Sequence, residues 1–75
     1  PAAAWNTIAG ESTALANRLY ARTSGGAHQI AMNVRKHVRL MAAAARRGDA
    51  SGARTHAGEA LPFVYQLIDW SAPPR

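Results

Sequence analysis

Apolar residues near the start of the chain fall at Trp5, Ile8, Leu15 and Leu19, and Ser12 completes a 3,4,3,4 spacing. Such spacing keeps one stripe of a helix turned toward a neighbour, and it predicts a helix over residues 3–22. The run TSGG then ends it, because paired glycines favour turns over helix. A second helix is expected over residues 27–47, with Ile30, Val34, Val38, Met41 and Ala45 on one face. Gly48 stops this helix, and Asp49 is placed to cap the next one.

The third segment, residues 50–70, begins with small inward residues, Ala53, Ala57 and Ala60. They allow a neighbouring helix to approach closely. Its second half, LPFVYQLIDW, is the densest apolar stretch of the chain. Pro62 lies inside it and should kink the helix, since proline clashes with the carbonyl four residues back. That residue is Gly58, which leaves room for the bend. Residues 71–75 are expected as a frayed tail. No run of β-branched residues alternates with polar ones, so no strand is expected. Short loops make sequential helices antiparallel. The expected fold is therefore all-α, a small up-down-up three-helix bundle in one domain.

Composition adds one doubt about that bundle. Hydrophobic residues make up 48% of the 75, but alanine supplies much of this and fills little core. A chain this short is marginally stable unless stapled, and it has no cysteine. Completion of the core by dimerisation is expected. The apolar ridge Phe63, Leu67 and Trp70 is either turned into the core by the kink or the expected interface with a second copy or a partner.

Charge is concentrated. Arg35, Lys36, Arg39, Arg46 and Arg47 account for the whole net charge of +5, because the other basic residues are offset by the four acids. His28, Arg35, Arg39 and Arg46 lie within roughly 40° of one another on the second helix, opposite its apolar stripe. Lys36 and Arg47 flank them. A stripe of guanidinium groups can follow phosphates or meet carboxylates on a protein. No aromatic residue interleaves the arginines within this helix. Gln29 and Asn33 lie off the stripe, which weakens a base-reading role. A solvated face is the plain alternative.

Other patterns carry less. A helix-turn-helix across RRGDAS would bury Arg54 where a large apolar residue belongs. The spacing of Gly48, Asp49, Ala53, Ala57, Ala60 and Leu61 resembles the second half of a tetratricopeptide repeat. His37, Met41, Ala44 and Tyr65 depart from that pattern, and no second copy follows. The resemblance implies only a close pairing of helices two and three. Arg47-Gly48-Asp49 spells an adhesion tripeptide, but it reads better as helix end, stop and cap.

His28 and Met32, and His37 and Met41, are spaced for one helix face each, but the two pairs look in opposite directions. His37 borders the apolar face and reads as a satisfied packing residue. His56 and Glu59 form one pair, too few ligands for a metal centre. Ser51 and His56, five apart, make a poor nucleophile–base pair. No catalytic residue, metal or cofactor is expected. The longest apolar runs, LMAAAA and ALPFVY, are six residues and far short of a membrane span. No basic-then-apolar leader opens the chain, and a cytoplasmic location is expected. The reading that results is a non-enzymatic regulator, inhibitor or adaptor. Its basic face would dock on an acidic protein surface, and its third helix would self-associate. Direct binding of DNA or RNA phosphates is the first alternative, and a structural subunit of a larger complex the second.

Overall fold

A computed structural model of the chain describes residues 2–71. It is all-helical among those residues: α1 (Ala2–Arg22), α2 (Gly25–Arg46) and α3 (Ala50–Ser71). α2 packs against both neighbours, most extensively against α3, while α1 and α3 barely touch. The three helices pack as a bundle of 42 × 21 × 16 Å. Antiparallel connection and an up-down-up order hold, so α1 and α3 run the same way on either side of α2. The expected tail beyond Ser71 lies outside the described residues.

The turns follow from their residues. Gly48 sits at a φ of +77°, which glycine adopts without strain, and Arg47, Gly48 and Asp49 close back on the last carbonyls of α2. The Asp49 carboxylate accepts the Gly52 N–H at 2.8 Å and caps α3. At the other junction α2 starts at Gly25, two residues earlier than its apolar pattern suggests. Gly25 takes a φ of +61°. Gly26 is helical and lies under the indole of Trp70: a Cβ there would meet the far edge of the ring and require it to shift. α3 runs unbroken through Pro62.

The core is thin. Among the described residues eleven apolar ones are buried, and eight of these are alanines, leaving Val34, Val38 and Met41 as the larger members. No large side chain among the described residues is fully enclosed. Trp5, Phe63, Val64 and Leu67 pack partly against this core. The expected stripe of α1 is only partly what α1 buries: Trp5 packs against the core and Leu19 is half-buried, but its middle is not. Ala9 and Ala16 face α2, and Ile8 and Leu15 remain 45% and 60% exposed. Small residues let α1 approach α2 closely. The register that seats them turns the larger stripe away from α2, toward the side where α3 stays distant.

Candidate functional site

The basic stripe of α2 runs along its seam with α1, and α1 divides it in two. At one end Tyr20 of α1 inserts between His28 and Arg35. The Arg35 guanidinium lies 3.5 Å above the Tyr20 ring centre, and the His28 ring is 4.2 Å from it, tilted by 42°. His28 Nδ1 also lies 3.3 Å from the Thr23 hydroxyl, which donates to the Leu19 carbonyl at 2.9 Å. Both His28 and Arg35 are half-buried. They hold α1 to α2 through cation–π and ring contacts, so their role is structural as well as electrostatic.

At the other end the stripe is open. Arg39 and Arg46, seven residues apart on one face of α2, line a cleft of about 490 Å³ with Thr13 and Asn17 of α1. Ala42 floors it. The cleft continues past Thr13 and Arg46 toward Asn6 and Gly10. Among the described residues Arg47 pairs with Asp49 at 3.7 Å, and His56 Nδ1 lies 2.6 Å from the Glu59 carboxylate; no other acid–base contact is made. Arg39 and Arg46 are thus exposed cations with neutral hydrogen-bonding groups alongside.

Lys36 is exposed on the outer side of the same helix. With Arg35, Arg39, Met32 and Leu40 it lines a shallow concavity of about 330 Å³. Met32 and Leu40 are 39% and 41% exposed within this basic surround. Arg47 stands apart at the end of α2, engaged with Asp49.

The structure therefore brings Lys36, Arg39 and Arg46 into one accessible face and turns His28 and Arg35 to packing. Sequence reasoning missed Asn6, Thr13, Asn17 and Tyr20. Their signal was present: Asn6, Gly10, Thr13, Asn17 and Tyr20 repeat at 4,3,4,3, a second stripe beside the apolar one. The aromatic lacking among the arginines in sequence is thus supplied from α1.

Of the ridge expected on α3, Phe63 and Leu67 are half-buried against the core, and Phe63 stacks on His37 at 5.5 Å and 12°. Trp70 rests on Gly26 yet stays 61% exposed. His37 packs at the α2–α3 contact as expected, but its buried Nδ1 has no partner among the described residues. No group of three or more His, Asp or Glu could hold a metal ion among the described residues, and no described helix is long and apolar enough to cross a membrane. Comparison with protein-family models, with characterised proteins and with solved structures finds no match to this chain.

Proposed function

We propose that this chain is a non-enzymatic binding protein, of the regulator or adaptor kind, that docks its Lys36–Arg39 face on an acidic surface of a protein partner. One observation carries this reading. Met32 and Leu40 are exposed large apolar groups set among Arg35, Lys36 and Arg39. Apolar anchors inside a charged rim are the make-up of a protein–protein contact. A phosphate backbone makes no use of them. Opposite charge across such a contact raises the association rate and fixes its orientation.

A second reading, direct binding of DNA or RNA, is favoured by the neighbouring cleft. Thr13 and Asn17 beside Arg39 and Arg46 are the side-chain types that grip phosphates without reading sequence.

Titration against an acidic amphipathic helical peptide, in parallel with duplex DNA, separates the two. The peptide should bind, and Lys36→Glu with Arg39→Glu should abolish binding. Leu40→Ser should weaken it about tenfold. Arg35 is left intact in this test because replacing it would loosen Tyr20 and with it α1. Peptide binding that survives the double charge reversal overturns the proposal. DNA binding that falls with salt at about −0.9 per phosphate, ignores Leu40→Ser and is lost with Arg46→Glu establishes the second reading instead.

A further inference from the structure

α1 and α3 flank α2 without closing on each other. Where α1 ends they part into an apolar cleft of about 320 Å³, walled by Leu19 on one side and by Val64, Leu67 and Ile68 on the other. No charged residue lines it. Ile8 and Leu15 belong to the same stripe of α1 as Leu19, and Leu61 to the same side of α3 as Ile68. These four side chains are between 45% and 60% exposed, and Tyr65, the next residue outward on α3, is 61% exposed. Together they present on the order of several hundred Å² of apolar surface, at the upper end of what a monomer shows.

We propose that a second copy of this chain closes the α1–α3 cleft, setting α1 of each protomer on α3 of the other about a two-fold axis parallel to the helices. A standard interface takes about 800 Å² from each partner, which the apolar wall and its rim can supply. The surface is also self-complementary in charge. Arg18 and Arg22 border Leu15 and Leu19 on the rim of α1. Asp69 follows Ile68 on α3 and has no ion pair among the described residues. Leu19 and Ile68 share one cleft, so Arg22 and Asp69 stand at the same level. An axis along the helices brings Arg22 of one copy to Asp69 of the other, twice. An axis across the helices would instead bring α1 onto α1 and α3 onto α3, and would separate Arg22 from Asp69.

Repulsion between two chains of +5 does not oppose this arrangement strongly. Lys36 lies roughly 180° around α2 from Val38 and Ala45, on the side away from the contact. The result is four helices, two from each copy, around a shared apolar core, with each α2 on the outside and its basic face free. The dimer contact and the basic-face contact use opposite sides, so either can fail while the other stands.

Sedimentation equilibrium from micromolar to near-millimolar protein tests the proposal. The expected mass is twice 8.0 kDa. A monomer throughout overturns it. Leu15→Glu with Ile68→Glu should give a monomer that keeps its helical circular dichroism, since within the single chain both side chains are more than half exposed. A dimer that persists in that variant also overturns it. Arg22→Asp alone and Asp69→Arg alone should each weaken the dimer about fivefold. The two together should restore it. Failure of the combination to recover overturns the assignment of the axis.

Discussion

Tyr20 decides how much of the basic stripe is free. Its ring separates Arg35 and His28 from solvent on one side and ties α1 to α2 on the other. Tyr20→Ala should cost about 2–3 kcal/mol, combining a half-desolvated cation–π contact with lost apolar burial. Tyr20→Phe should stay within about 0.5 kcal/mol, because the ring and not the hydroxyl makes these contacts. Urea denaturation of the two variants checks both, and equal losses would contradict the ring's role. His37 is the opposite case. It stacks well on Phe63 but buries an unpartnered Nδ1. His37→Leu keeps the volume and removes the unsatisfied atom, so stability should be unchanged or rise by up to about 1 kcal/mol. A clear loss in the same denaturation series would show that the ring's polarity is used.

At the scale of elements, the junctions were legible and the facing of α1 was not. Gly48 and Asp49 could be read as stop and cap because each has a local reason: a positive φ and a carboxylate three residues before an open N–H. Asp49→Ala should therefore cost about 1 kcal/mol, measurable as a lower melting temperature with no change in α1–α2 contacts. α1 carries two stripes at helical spacing, one apolar and one of small and polar residues. Ala9 and Ala16 lie between them. Alanine gains little from burial, so periodicity alone cannot say which stripe meets α2. For the same reason Asn6, Thr13 and Asn17 could not be placed beside Arg39 and Arg46 from spacing alone. Gly26 was read as a turn residue, although its reason is tertiary, the indole of Trp70. Gly26→Ala should destabilise by no more than about 1 kcal/mol, because the exposed indole can shift aside, and should move Trp70 fluorescence toward that of a fully exposed indole. In a Trp70→Leu background the same change should be nearly free. An equal cost in both backgrounds would mean that the glycine matters for its backbone and not for the ring.

At the scale of the whole molecule, the alanine-rich composition led to the expectation of a core completed by a second copy, and the cleft between α1 and α3 is where the proposed dimer would complete it. Leu19 of α1 and Val64, Leu67 and Ile68 of α3 line an open cleft rather than enclosing each other. Stability should then depend on protein concentration, since association favours the folded state by mass action. For a dimer that unfolds to two separate chains, each tenfold rise in concentration adds about 1.4 kcal/mol per dimer at the midpoint. Spread over the unfolding entropy of two such chains, this raises the melting temperature by about 4 °C. The Leu15→Glu, Ile68→Glu variant should melt at one temperature whatever its concentration. A wild-type midpoint that does not move over two decades of concentration would mean that the thin alanine core is sufficient alone. The basic face should leave this dependence untouched: Lys36→Glu with Arg39→Glu should shift the midpoint at every concentration equally, because it alters the outer side of α2 and not the contact between copies.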